Sequence, residues 1–199
     1  MSLLVVITVT LGIFYGILFN DNPIVANLDF LIQATLGFLL FFVGLDIGSN
    51  RSVFKGIKDK LFSVLVVTFS IILGSLTGGL ITALVFSMSP GEGLAIAAGF
   101  GWYSLSGIIL TNIGNAELGS IAFLSNVFRE LITFLVVPII AVKLNYLSAI
   151  GPAGATSMDT TLPIISKNTD SHTALVAFVN GLILTAIVPF LVPLLYTLF

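Results

Sequence analysis

A run broken by glycine and proline, Gly151-Pro152-Ala153-Gly154-Ala155-Thr156-Ser157-Met158-Asp159-Thr160-Thr161-Leu162-Pro163, carries one carboxylate at its centre. Strongly apolar sequence flanks it, so Asp159 is expected at membrane depth, where an ionisable group is costly and is kept for a reason. Glycine and proline weaken regular helix on both sides of the acid, freeing carbonyls and amides that lipid cannot satisfy but a ligand or a watery cavity can. Thr156, Ser157, Thr160 and Thr161 put hydroxyls around it. Half-helix ends offer partial positive charge to a substrate carboxylate, while Asp159 offers full negative charge to a cation or amine. That combination suits a zwitterionic or cationic amino-acid-like ligand better than a bulky apolar one. The competing reading is an extramembrane loop after Lys143 with Asp159 in a turn.

A second polar cluster interrupts the apolar stretch 118–142, where Arg129 and Glu130 follow Phe123, Leu124, Val127 and Phe128 and precede another long apolar run. Two adjacent charges cannot both face lipid cheaply. Asn126 lies three residues before Arg129 and four before Glu130, so the three side chains are expected to share one helix face. Such a face suits a substrate or proton pathway; the alternative is a buried ion pair that fixes helix packing. A third candidate is Gly99-Phe100-Gly101-Trp102-Tyr103-Ser104-Leu105-Ser106-Gly107. Its glycines permit close backbone approach, its serines favour a cavity, and Trp102 and Tyr103 can stack on an alkyl or ammonium group. Anchoring at the membrane interface is the plainer reading of Trp102.

Asp46 ends an apolar run just before a basic loop, and reads equally as a functional acid and as an interfacial one paired with Arg51 or Lys55. Glu92 follows Ser89-Pro90-Gly91 in a turn, and Glu117 follows Asn115 where an acid favours the positive end of a helix. Lys167, Asp170 and His172 fall in a polar connection, and a lone loop histidine is poor evidence for a proton relay.

The elements that must position these residues are membrane helices. Of 199 residues 57% are hydrophobic and 8% charged, and the mean hydropathy is +1.18, far outside the range of a soluble domain. A membrane β-barrel would show short alternating segments instead of long uniform apolar runs. Cysteine is absent and there is one histidine, so neither thiol chemistry nor a transition-metal cluster is expected, and the net charge of −2 gives no footprint for nucleic acid. Clear apolar runs cover 2–19, 30–48, 61–87, 118–142 and 173–198, while 93–111 and 148–166 are apolar but rich in Gly, Ser, Thr and Pro. The expected fold is an all-α, polytopic transmembrane helical bundle of about seven membrane segments, two of them discontinuous or re-entrant. One integral membrane domain spans 1–199.

Arg51, Lys55, Lys58 and Lys60 hold four of the seven basic residues, which places their loop in the cytoplasm, and the N-terminus with it. The C-terminus lies outside if all segments cross and inside if one re-enters. Gly74, Gly78 and Gly79 give small-residue spacing for close helix contact. Pro138, Pro189 and Pro193 are expected to bend helices and not to bind ligand.

The motifs GFGWYSLSG at 99–107, RELI at 129–132 and GATSMDTTLP at 154–163, in this order, resemble the bacterial lysine exporter family, and the likeness runs from LLFFVG at 39–44 to the last span. The resemblance implies a secondary transporter of the bacterial inner membrane that exports L-lysine and lysine analogues by exchange with protons, without a cofactor; Na⁺ is the other candidate coupling ion. It implies that Asp159 is the essential carboxylate, that Arg129 and Glu130 are the charged pair of a facing helix, and that Gly99 to Gly107 line the site. Family members are often longer at the N-terminus, and split forms place that part on a small separate membrane protein. A homo-oligomer or a complex with such a protein is therefore implied, and Asp46 falls where other members need not carry an acid.

Two other functions compete. An intramembrane aspartyl protease would need Asp46 and Asp159 as a proton-sharing dyad. A non-catalytic subunit would only support a partner, and transport by the chain alone would separate that case from the first.

Overall fold

The computed structural model describes residues 2–19 and 57–199, with isolated positions 23, 27, 30, 38, 41 and 45 between them. Most of the expected span 30–48, together with Asp46, Arg51 and Lys55, lies outside the described residues. Those described are helical, with no strand among them: α1 (Ser2–Leu18), α2 (Ile57–Phe86), α3 (Pro90–Ala97), α4 (Tyr103–Ile113), α5 (Ala116–Lys143), α6 (Leu162–Asn168) and α7 (Ser171–Leu198). Short 3-10 turns at Leu147–Ile150 and Gly154–Met158 precede α6.

Among the described residues three helices are long and apolar enough to cross a bilayer: Leu61–Phe86, Ala116–Lys143 and Ser171–Leu198. A 28-residue helix such as α5 or α7 is about 42 Å long, more than a perpendicular crossing requires. Their outer faces carry bare aromatics and aliphatics, Phe62, Phe69, Phe128, Val142 and Phe190 among them, as lipid-facing surfaces do. Side chains cap the starts of α3, α5 and α7. Ser89 and Glu92 form a reciprocal capping box on α3, Asn115 accepts from the Leu118 amide at 2.8 Å, and Asp170 accepts from the Thr173 amide at 2.7 Å. Glu92 and Asp170 thus act locally, and Glu117 sits in the first turn of α5. His172 belongs to the first turn of α7 and not to the connection before it.

The two glycine-rich segments both turn back inside the bundle. Gly91, at the start of α3, lies against the backbone of Leu195, Tyr196 and Phe199, and Gly114, just past α4, lies against the Tyr196 hydroxyl. The α3–α4 hairpin therefore enters and leaves at the end where α7 finishes. Between them the chain breaks at 98–102, halfway along α5, where Asn126 bonds to it. The second segment starts from the opposite end: Asn145 and Ser148 line a cavity with Val66 and Ser70 from the first half of α2. It returns there as well, because α6 ends at Asn168, two residues short of Ser171, and a 2.8 Å bond from Thr68 to Asn180 joins the first halves of α2 and α7.

The hairpins meet tip to tip at mid-depth, where the Ala155 amide donates to the Phe100 carbonyl at 2.8 Å. Phe100, Ile150, Leu162, Ile165 and Leu184 are fully buried around the junction. Expected segments 93–111 and 148–166 are thus both re-entrant. This sharpens the topology, since with neither crossing the chain ends at the face opposite the one where α2 begins.

Small residues allow the close fit. A Cβ placed on Gly93 would lie 2.5 Å from the Gly79 carbonyl oxygen, so α2 and α3 touch backbone to backbone only because both are glycine. Gly74 and Gly78, in contrast, meet nothing within 4 Å among the described residues, leaving that part of the α2 stripe open.

Candidate functional site

A cavity of about 190 Å³ sits where the tips meet, lined by Trp102, Tyr103 and Ser104 at the start of α4, Glu130 from mid-α5, Met158, Asp159 and Thr160 from the second tip, and Thr185 from α7. Asp159 closes the 3-10 turn Gly154–Met158. Its Oδ1 accepts from the Thr160 amide at 2.6 Å, and the Thr160 hydroxyl stands 3.4 Å from the same oxygen and within reach of the Glu130 carboxylate. Two acids thus face one half-buried space, and among the described residues those lining it include no Lys, Arg or His. Such a space favours positive charge, whether a proton, a metal cation or an ammonium group.

The opposite wall offers a different polarity. Helix α4 begins at the cavity with Trp102 as its N-cap residue and no side-chain cap; the Tyr103 amide donates to the Gly101 carbonyl at 3.0 Å, which leaves the amides of Ser104 and Leu105 for a ligand anion. Tyr103 packs edge-on against Phe123 with ring centroids 5.4 Å apart, which fixes its direction. The half-buried indole of Trp102 lines the space beside it.

Each tip is held by a buried asparagine. Asn126 accepts from the Gly101 amide at 2.7 Å and donates to the carbonyls of Ala122 and Ile96 and to Ser106 Oγ. Asn180 accepts from Thr68 at 2.8 Å and donates to Ser157 Oγ at 3.0 Å and the Gly154 carbonyl at 3.2 Å. The first tip is strained at Phe100, with φ +47°, while Gly101 at +101° and Gly154 at +61° take positive φ without steric cost. A Cβ on Gly154 would run into the Phe100 carbonyl oxygen, so glycine is required there for the contact between the tips.

The polar face expected of α5 divides. Asn126 and Glu130 point to the first tip and the acid cavity, whereas Arg129 turns to α2 and the second segment. Its Nε donates to the Pro152 carbonyl at 2.9 Å, its two terminal nitrogens to Ser75 Oγ at 2.9 Å and to the Gly151 carbonyl at 3.3 Å. Successive helical residues are about 100° apart, and the length of the arginine side chain widens that divergence. No ion pair joins Arg129 to Glu130 among the described residues. Ser157 also leaves the site: it is buried, with its hydroxyl 2.7 Å from the Ala177 carbonyl, and does not line the cavity. Trp102, Tyr103, Ser104, Glu130, Asp159 and Thr160 are brought together; Asn126, Arg129 and Ser157 stand behind the walls.

Thr185, Met158 and Asn180 are additions that the sequence reading missed. A buried Asn within the apolar run 173–198 is itself a signal, because an amide at that depth must be bonded. Thr185 carries no such signal, since a threonine suits a helix in lipid without any ligand.

A helical membrane protein whose two re-entrant hairpins meet over an acid-lined cavity has the architecture of a solute carrier. The sequence profile described as "Lysine exporter LysO" matches residues 6–196, and the chain belongs to that family, a family of transporters and not of enzymes. It is 38% identical over 160 residues to the lysine exporter LysO of Escherichia coli K12, covering 80% of this chain and 53% of that protein. It is 37% identical over 190 residues to a putative lysine exporter of Haemophilus influenzae, covering 92% of each. The chain thus spans about half the length of the E. coli relative and nearly all of the H. influenzae one. No solved structure matches it.

Proposed function

We propose that this multi-pass membrane protein exports L-lysine, and analogues of the same shape and charge, across the bacterial inner membrane in exchange for protons. The observation that carries the reading is the pairing of Glu130 and Asp159 across one cavity, with no basic side chain lining it among the described residues. A lysine ammonium group fits between two carboxylates, Trp102 and Tyr103 suit the alkyl stem or the cation, and the uncapped start of α4 suits the substrate carboxylate. Protonation of either acid removes charge that holds the ammonium, so proton uptake would drive lysine release. The names of both relatives support lysine as substrate.

In this reading the basic loop 51–60 is cytoplasmic, as is the N-terminus, and the C-terminus faces outward. Alternating access would come from movement of the re-entrant hairpins against the long helices. Open glycines on α2 offer a surface for a second copy or for a small membrane protein carrying additional spans.

Counterflow of radiolabelled L-lysine into proteoliposomes, with an imposed pH gradient and a panel of amino acids, tests the proposal. Transport should depend on the gradient, prefer lysine, and vanish in Asp159→Asn and Glu130→Gln; unchanged lysine counterflow in both variants would sink it. A second reading, a non-transporting subunit, is favoured by the match to only half of the E. coli relative. Lysine transport by the chain reconstituted alone excludes that reading.

A further inference from the structure

The structure assigns a second binding site to Arg129: a cavity that takes a small carboxylate or comparable anion, separate from the acid-lined site and independent of the export reading. The cavity, of about 610 Å³, opens between the first half of α2, the mid-point of α5 and the chain just after α5. Ser70, Ser75, Arg129, Asn145, Ser148 and Gly151 supply its polar lining, and Val67 and Ile71 an apolar wall.

Three observations point to an anion. First, among the described residues the half-buried Arg129 has no carboxylate partner: its acceptors are a hydroxyl and two peptide carbonyls, all neutral. A guanidinium removed from water without a counter-charge keeps most of its desolvation cost. Second, three of its N–H groups are engaged, and a guanidinium carries five, so two donors remain. Third, the polar groups beside it can complete an anion's shell: Ser70 and Ser148 are exposed to the cavity, and among the described residues the Asn145 amide nitrogen has no acceptor, its Oδ1 alone being engaged with the Ser148 amide. A carboxylate meeting guanidinium, amide and hydroxyl donors there makes charge-assisted bonds in place of water.

The site has a route to the other cavity. Arg129 holds the carbonyls of Gly151 and Pro152, and the same backbone runs on to Asp159. An anion drawing the guanidinium toward the cavity competes with those carbonyls and loosens the foot of the second tip.

The test is binding of radiolabelled acetate to the purified full chain in detergent, by scintillation proximity. Saturable acetate binding is expected in the wild type and in Asp159→Asn, with affinity lowered tenfold or more in Arg129→Gln and largely kept in Arg129→Lys, which retains the positive charge. Because Arg129→Gln also removes bonds that hold Gly151 and Pro152, Ser148→Glu is the second variant: it places a tethered carboxylate at the cavity and should abolish acetate binding in a chain that still elutes and melts like the wild type. Displacement of acetate by L-lysine but not by 1,5-diaminopentane, which lacks the carboxylate, identifies an amino acid as the anion's source; displacement by chloride and not by lysine identifies a free anion. Absence of saturable acetate binding in the wild type overturns the assignment, as does binding unchanged in both Arg129→Gln and Ser148→Glu.

Discussion

The turn at 98–102 and the turn at 153–159 come from opposite ends of the bundle and meet at its centre, each held by an asparagine of a long helix, but they bring different chemistry. The first presents an uncapped helix start and two aromatic rings; the second presents a carboxylate between threonines. Their anchoring differs as well. Asn126 bonds within a local group of α3, α4 and α5, while Asn180 ties the second tip to α7 and, through Thr68, to α2. The aromatic tip is thus built into its neighbours, whereas the acidic tip is suspended between crossing helices, α7 and α2 at the turn and α5 through Arg129 at its foot. On the export proposal, a ligand bound between them would sense movement of those helices through Asp159.

The largest effect that would break this comparison is expected at the acids. Asp159→Asn or Glu130→Gln should cost about 2–5 kcal/mol of ammonium binding, more than thirtyfold in lysine affinity, with the melting profile preserved. Equal losses from Trp102→Ala would mean that the tips do not divide the chemistry as described. Next is Gly154→Ala, which puts a side chain at φ +61° against the Phe100 carbonyl and should destabilise the fold by about 1–3 kcal/mol, read as a lower melting temperature in detergent.

The asparagines sharpen the contrast in anchoring. Asn126→Ala and Asn180→Ala each leave buried groups unpaired, at about 1–3 kcal/mol apiece. Because the Ala155 amide joins the tips, their double mutant should depart from additivity by about 0.5 kcal/mol or more in a thermal-unfolding cycle. Strict additivity would show that the tips fold independently. The smallest effect is at the ring: on the export proposal, Trp102→Ala should raise the KM for lysine by roughly twofold to thirtyfold, matching about 0.5–2 kcal/mol of cation–π contact, and leave stability nearly unchanged.

Much of this arrangement was legible in the residues. Asp159 within a glycine- and proline-broken run and Glu130 within an apolar span are each expensive enough in lipid to be noticed singly. Trp102 and Tyr103 drew attention through the glycines around them. What spacing could not convey was direction: Asn126, Arg129 and Glu130 share a helical neighbourhood, yet Arg129 reaches across to Ser75 of α2 and to the carbonyls of Gly151 and Pro152, while Asn126 and Glu130 serve the first tip and the acid cavity. Ser157 misled for a related reason. A hydroxyl beside a functional acid looks like a ligand until α7 is seen to bury it.

By itself, then, the sequence determined that this protein is a helical membrane protein, where its helices break, and which ionisable groups lie at depth, because the cost of polar groups in lipid acts on each segment separately. Only the tertiary structure decided that both broken segments turn back, that their tips meet, and that Glu130 joins Asp159 while Arg129 stands apart. Those outcomes depend on contacts between segments far apart in the chain, such as Ala155 with Phe100 and Thr68 with Asn180, and no local pattern encodes which partner a freed carbonyl or a buried amide will find.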